Sequence, residues 1–269
     1  MNQLSHVVVD SATMLRRQLK HLLRYPSMTV LLVGMPIVFL LLFVYVFGGQ
    51  LGSSLVAGHG AGSASRAAYL NFIVPGVLLM TVAAAANGTS ILIAMDMTQG
   101  IIARFRTMAI TRASVLVGHV LGSVIQALVG VAIVVGVSLA VGFRPTAGLP
   151  AWIAALGVIA LFAFALAWLA VALGLAAKSV ETASNTPMFL TLLPFLGSGF
   201  VTVASMPSGL RQFAQYQPFT PVTDTVRALL RGTGGVGPHA LAAVAWSAGI
   251  ALVSFLWARS LYDRRPTGT

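Results

Sequence analysis

Six stretches of this chain contain no Asp, Glu, Lys or Arg: Met28–Phe47, Leu70–Met95, Gly118–Gly142, Ala151–Ala176, Asn185–Val203 and Ala240–Ala258. Each is 19 to 26 residues long, and about 20 apolar residues in a helix cross the hydrocarbon core of a bilayer. A soluble domain carries about 25% charged residues, against 8% in this chain. Closed β-strands are the other way to satisfy a backbone in lipid, but these runs are continuous rather than alternating and far exceed the ~10 residues of a barrel strand. The expected fold is therefore an all-α polytopic membrane protein with six transmembrane helices, near 28–47, 70–95, 118–142, 151–176, 185–203 and 240–258. The first run follows basic residues, as in a signal peptide, yet no small-x-small cleavage site follows it, so it reads as a retained span.

Sixteen Lys and Arg against five Asp and Glu leave a net charge of +11. In a soluble protein that would point to nucleic acid; on a chain of spans it encodes sidedness, and no nucleic-acid partner is expected. Six crossings put both termini on one side. With them lie Arg16, Arg17, Lys20, Arg24, Arg104, Arg106, Arg112, Lys178, Arg259, Arg264 and Arg265, against Arg66, Arg144, Arg211, Arg227 and Arg231 opposite. Eleven of sixteen on the terminal side make that side cytoplasmic.

Before the first span, Leu4, Val7, Val8, Met14, Leu15, Leu19, Leu22 and Leu23 recur at three- and four-residue steps opposite Asp10, Arg16, Arg17, Lys20 and Arg24. Residues 1–27 thus read as an amphipathic helix in the cytoplasmic interface, ended by Tyr25-Pro26. Gly49–Ala68, rich in Gly, Ser and Ala, reads as a flexible external loop. The external stretch 204–239 carries helix punctuation instead. Thr220 is placed to N-cap, Pro221 fits the first helical position, Asp224 falls in the first turn, and Gly232 follows Arg227 and Arg231. A helix of roughly Pro221–Arg231 is expected, with a second around Ser208–Tyr216, and their apolar residues would let the pair dip back toward the bilayer.

Several chemistries are missing. Cysteine is absent, which removes disulfides, thiolate zinc sites and cysteine nucleophiles. No P-loop, G-x-S-x-G, H-E-x-x-H or metal-spaced cluster occurs, so any ATP hydrolysis must take place on another chain. Ion-coupled carriers usually keep a charged residue within their spans. Here the one imidazole in a span is His119, an isolated histidine near a helix end, with Asp96 closing span two at the interface.

Span three carries Gly118, Gly122, Gln126 and Gly130 at four-residue steps. Four residues subtend 400°, a drift of about 40° per rung, so the four share one face that suits close helix packing or a subunit interface. Asn71, Thr81, Asn87, Gln126, Asn185 and Thr191 are the in-span polar groups available to line a substrate path or to glue helices. The loop 96–117 is longer than a turn requires. Ile101, Ile102, Phe105, Met108 and Ala109 have helical spacing while Arg104, Arg106 and Arg112 stay solvated, so a short helix there could dock in a groove of a cytoplasmic partner. A plain positive-inside loop is the alternative.

The run Gly100-Ile101-Ile102-Ala103-Arg104-Phe105-Arg106-Thr107-Met108-Ala109-Ile110-Thr111-Arg112, continuing to Gly118, resembles the loop of ABC-2 type exporter permeases of the daunorubicin-resistance group. Leu23-Arg24-Tyr25-Pro26 with Phe43-Val44-Tyr45-Val46-Phe47-Gly48-Gly49 is similar to that group's approach to and passage through span one, although Ser27 stands where an acidic residue often follows the proline. Gly142-Phe143-Arg144-Pro145 resembles its exit from span three. Phe200-Val201 through Met206-Pro207, then Gln217-Pro218-Phe219-Thr220-Pro221-Val222 and Arg227-Ala228-Leu229-Leu230-Arg231-Gly232, resemble its external loop before span six.

The resemblance implies one ABC-2 type transmembrane domain over 1–269 in a bacterial cell membrane. It implies a non-enzymatic permease subunit of an efflux pump, with two copies of a cytoplasmic ATPase subunit holding ATP and Mg, and no cofactor or metal on this chain. A second permease, identical or homologous, would complete the pump. Arg104, Phe105, Arg106, Thr107, Met108, Ile110 and Arg112 would form its coupling helix, and re-entrant helices over about Ser208–Arg231 would cap the exit. Typical cargo is a hydrophobic or amphipathic drug, antibiotic or lipid-like natural product, whose export gives drug resistance. A polysaccharide or glycolipid exporter, a gradient-driven carrier and a non-transporting scaffold are the alternatives.

Overall fold

A computed structural model describes Arg16, Arg24 and residues 26–49, 63–99, 112–232 and 237–264. The expected interfacial helix over 1–27, most of the Gly49–Ala68 loop and residues 100–111 of the 96–117 loop lie outside the described residues. Those described form helices and no strand: α1 Pro26–Leu42, continued by a π-helical turn Phe43–Phe47, α2 Ser63–Thr98, α3 Arg112–Val141, α4 Leu149–Ala176, α5 Val180–Asn185, α6 Met188–Leu192, α7 Ser208–Tyr216, α8 Phe219–Arg231 and α9 Gly237–Arg264.

Four helical stretches are long and apolar enough to cross a membrane: Arg66–Thr98, Leu116–Val141, Leu149–Ala176 and Gly237–Tyr262. Leu32–Phe47 is a shorter apolar helix. On α9, Leu241, Leu252, Val253 and Leu256 are exposed. An apolar face of that size would be costly in water and is at home in hydrocarbon. The chain is thus a multi-pass membrane protein.

At the centre stands α4, which packs against α2, α3, α8 and α9. Its alanines let neighbours approach, and its rings fill the gaps: Phe162 meets Phe219 of α8 edge-on at 4.9 Å, and Trp168 meets Phe255 of α9 likewise at 4.9 Å. Two sets of contacts mark the ends of the bundle. At one, Asp96 of α2 lies 3.2 Å from His119 of α3, and Ser90 Oγ donates to Ala183 O of α5 at 3.1 Å. At the other, the Arg144 amide donates to Asn71 Oδ1 at 3.2 Å, and Thr146 Oγ1 to Arg231 O at 2.5 Å. They are called here the Asp96 end and the Arg144 end.

The expected fifth span is not one helix. Within Asn185–Val203 the chain makes the end of α5, then α6, then a series of turns through Gly199 and Phe200. Pro187 and Pro194 each remove a backbone donor and clash with the preceding turn, which ends α5 and α6. Backbone freed in this way is tolerated at membrane depth when protein satisfies it. Gln217 Nε2 donates to Leu193 O at 2.9 Å, Thr220 Oγ1 accepts from the Ser198 amide at 3.3 Å, and Arg227 Nη2 donates to Ser198 O. A Cβ on Gly76 of α2 would stand 2.6 Å from Gly199 O, so glycine is what lets the turns touch α2.

Other boundaries shift too. Residues 63–68, expected as flexible loop, begin α2, because Ser63-Ala64-Ser65-Arg66-Ala67-Ala68 favours helix and the Arg66 guanidinium sits over the Tyr45 ring at 5.5 Å. Helix α7 covers the expected Ser208–Tyr216. Helix α8 starts at Phe219 with Pro218 at the cap, so Thr220 is inside the first turn rather than capping it, and its hydroxyl serves Ser198 instead. Gly232 ends α8 in the left-handed region, φ 65°, as a glycine after the last turn should.

Candidate functional site

Between α1, α2, α3 and the α6 segment lies a cavity of about 630 Å³. Helix α1 contributes Met35, Pro36 and Phe39, and α2 contributes Met80, Asn87 and Met95. Helix α3 adds His119, Gly122, Ser123 and Gln126, whose three- and four-residue steps place them along one face. Thr191, Leu192 and Phe195 close the fourth side. Met35 and Leu192 are exposed, so the cavity opens sideways through an apolar flank.

The wall is mostly apolar with a few polar groups, the general character of a site for an organic ligand. Thr89 Oγ1 donates to Ser123 Oγ at 2.7 Å, joining α2 to α3. Asn87 Oδ1 is buried and has no partner among the described residues. A buried amide oxygen without a partner costs about 1–3 kcal/mol, and Gln217 Oε1 is in the same position near the α8 contact. His119 is the titratable group on the wall. The expectation of an isolated histidine fails, because the α2–α3 hairpin brings Asp96, one residue past Met95, to 3.2 Å from its Nε2.

Toward the Arg144 end the cavity stops at aromatic rings. Phe39 meets Phe195 at 5.3 Å, Phe195 stacks on Phe200 at 4.4 Å, and Phe43 meets Phe200 at 5.1 Å. Phe43 opens the π-helical turn, a distortion that often marks functional positions. Beyond this stack lies the α8 contact. Arg227 is 8% exposed; it holds Asp224 at 2.5 Å, donates through Nε to Phe72 O at 3.2 Å and sits 4.1 Å above the Phe72 ring. Burial pushes its guanidinium down to about 10 while Asp224 pulls it back up, so it stays a cation at neutral pH.

The structure brings only part of the expected substrate path together. Asn87, Gln126 and Thr191 line the cavity. Asn71 instead faces a separate cavity at the Arg144 end, Asn185 is exposed at the end of α5, and Thr81 is buried with its hydroxyl on Val77 O. All four members of the Gly118, Gly122, Gln126, Gly130 ladder are buried within the chain. Gly122 and Gln126 face the cavity, and a Cβ on Gly130 would come within 2.9 Å of Thr81. Of the expected coupling residues, Arg112 opens α3, and Arg104, Phe105, Arg106, Thr107, Met108 and Ile110 lie outside the described residues. Sequence reading missed Met80, Phe39 and Phe195 on the cavity wall; the prolines Pro36 and Pro194 beside them were the available signal.

Residues 11–230 match the sequence pattern of the ABC-2 type transporter family. The chain is 31% identical over 232 residues to the daunorubicin resistance ABC transporter permease protein DrrB1 of Streptomyces coeruleorubidus, covering 83% of this chain and 78% of that protein. It is 26% identical over 225 residues to the probable doxorubicin resistance ABC transporter permease protein DrrC of Mycobacterium tuberculosis, covering 82% of this chain and 76% of that one. With the family pattern running through most of the chain and a helical, multi-pass architecture to match, this protein belongs to the ABC-2 type transporter family.

Proposed function

We propose that this chain is the permease subunit of an ATP-driven exporter that moves hydrophobic or amphipathic compounds, of the kind named for its daunorubicin- and doxorubicin-resistance relatives, out of a bacterial cell. The observation that carries the reading is the apolar cavity with its lateral opening and the unpartnered Asn87. An amphipathic cargo can enter it from the bilayer through the Met35–Leu192 flank without a charged site to receive it. None of Trp152, Trp168, Trp246 and Trp257 lines that wall, whose rings are those of Phe39 and Phe195.

In this reading the Asp96 end is cytoplasmic, both termini lie there, and the chain crosses six times, the first crossing by α1 and the fifth by the broken α5–α6 segment. Helices α7 and α8 cap the exit as a re-entrant pair. A cytoplasmic ATPase, two copies holding ATP and Mg, engages the 100–112 stretch through Arg104, Phe105 and Met108. A second permease, identical or homologous, completes the path. Stepwise movement of the loop then reaches the cavity through its flanking helices, α2 and α3, which the Asp96–His119 contact ties together.

Co-reconstituted with its ATPase, the permease is expected to raise ATP turnover and to drive ATP-dependent uptake of daunorubicin into inverted vesicles. Phe105→Ala and Arg104→Glu are expected to abolish both. Coupled transport unchanged in the two variants would overturn the coupling assignment, and a complete lack of flux would favour a scaffold. The Asp96–His119 pair beside the cavity supports one second reading, a proton-driven carrier. Transport that collapses with an uncoupler and persists without ATP would favour it.

A further inference from the structure

The Arg144 end holds another cavity, of about 590 Å³, walled by the start of α2 with Asn71 and Phe72, the connection from Phe143 to Thr146, and the last turn of α8 with Arg231. Two exposed arginines, Arg144 and Arg231, line it together. Neither is carried on a loose loop. The Arg144 amide donates to Asn71 Oδ1 at 3.2 Å and its Nη1 donates to Leu139 O and Phe143 O, each at 3.1 Å. The Arg231 carbonyl accepts from Thr146 Oγ1 at 2.5 Å, which fastens the end of α8 to the same connection.

Among the described residues no carboxylate balances this pair: Asp96, Glu181 and Asp263 belong to segments at the opposite end, and Asp224 already bonds Arg227. Arg231 also repels Arg227. The Arg231 guanidinium has no hydrogen-bond partner among the described residues. Like charges fixed around one cavity call for an anion.

We propose that this cavity binds a phosphate group, that of a phospholipid headgroup or of soluble phosphate. Depth favours the lipid source. Helix α3 ends at Val141 and α4 begins at Leu149, so the two arginines lie where the apolar spans stop, in the layer that headgroups occupy. Guanidinium forks match phosphate oxygens in pairs. Thr146 and Thr202 add neutral polar groups, while Phe72, Phe143 and Leu230 supply an apolar wall for the glycerol and first methylenes. The proposal depends on neither the cargo nor the ATPase assignment.

The test uses the full chain in a non-ionic maltoside detergent, titrated with short-chain phosphatidylglycerol, short-chain phosphatidylcholine and inorganic phosphate, with thermal stability and native mass spectrometry as readouts. Phosphatidylglycerol is expected to stabilise and stay bound, with phosphatidylcholine about tenfold weaker because its choline meets the arginines. Arg144→Gln with Arg231→Gln should weaken phosphatidylglycerol about tenfold or more, whereas Arg231→Lys, which keeps the charge but not the fork, should weaken it less. Inorganic phosphate that binds the wild type and fails on the double variant supports the site with a soluble source. Equal binding of the two lipids to the wild type, or undiminished binding by the double variant, overturns it. Should the double variant not fold, the wild type decides. Displacement of bound phosphatidylglycerol by phosphate but not by chloride at equal ionic strength supports the site, and equal displacement by both overturns it.

Discussion

Around Ser198 the backbone has left helical geometry and side chains meet its polar groups; around Asn87 the backbone is regular helix and a side-chain oxygen is left facing a cavity. The first region lies where α2, the 193–201 turns and α8 converge, and Thr220, Asp224 and Arg227 all serve it. Gln217 joins them through Nε2, although its Oε1 has no partner among the described residues. The second region lies between α1, α2, α3 and α6, with about 630 Å³ of space and an exposed apolar flank. The contrast teaches where rigidity and adaptability reside. A knot of charge-assisted bonds fixes the junction of α2, the 193–201 turns and α8, while the space between α1, α2, α3 and α6, edged by the Asp96–His119 contact, keeps free volume that a cargo or a movement needs.

The sharpest way to break the contrast is to remove the cation at the centre of the knot. Arg227→Ala would leave Asp224 without its cationic partner and Ser198 O without the guanidinium donor, in a place 8% exposed for the arginine. Breaking a buried pair on one side costs about 3–5 kcal/mol, and the expected fall in melting midpoint is roughly 10 °C. Arg227→Lys keeps the charge but not the fork that reaches three acceptors, so its loss should be smaller and still measurable. A melting midpoint unmoved by Arg227→Ala would show that the knot is incidental.

A smaller effect separates contact from propensity. Gly76→Ala places a methyl 2.6 Å from Gly199 O, a backbone atom that cannot swing aside, so α2 and the turns must part. The expected cost is about 1–3 kcal/mol. Gly34 of α1 has nothing within 4 Å of its would-be Cβ, and Gly34→Ala should be neutral or stabilise by about 0.5–1 kcal/mol through helix propensity alone. Thermal denaturation of the two variants side by side reads the difference directly; equal shifts would remove the special role given to the α2–turn contact.

The same contrast explains what the sequence could and could not reveal. Charge-free length shows in composition, so the helical, multi-pass architecture was legible, as were α7 to the residue and the glycine stop of α8. Asn185–Val203 was not, because hydropathy counts Pro187, Pro194, Gly197 and Gly199 as compatible with lipid while their missing donors and absent side chains break the helix. Arg227 looked like a loop charge near a helix end; its burial depends on Ser198 and Phe72, 29 and 155 residues away. At the cavity, Asn87, Gln126 and Thr191 were legible as in-span polar groups, but nothing local distinguishes them from Asn71 or Asn185, which point elsewhere. The coupling of Asp96 to His119 arises only when two helices fold back on each other across a long loop.

The smallest stability change should accompany a large change in function. Asn87→Leu replaces an amide of similar size whose Oδ1 has no partner among the described residues with a side chain that asks for none. If Asn87 is there for packing, the variant should lose stability and transport together. If Asn87 is there for cargo, as proposed, the variant should gain up to about 1 kcal/mol in thermal denaturation, because a desolvated oxygen has been removed, while ATP-dependent daunorubicin efflux falls. Gln126→Leu, on the facing helix, should repeat the loss of transport. Phe39→Leu, at the ring stack that ends the cavity, should instead change leakage in the absence of ATP, since it thins the aromatic stop without touching the polar wall. Transport assays on the three variants, each normalised to surface expression, therefore divide the cavity into a part that recognises cargo and a part that holds it back.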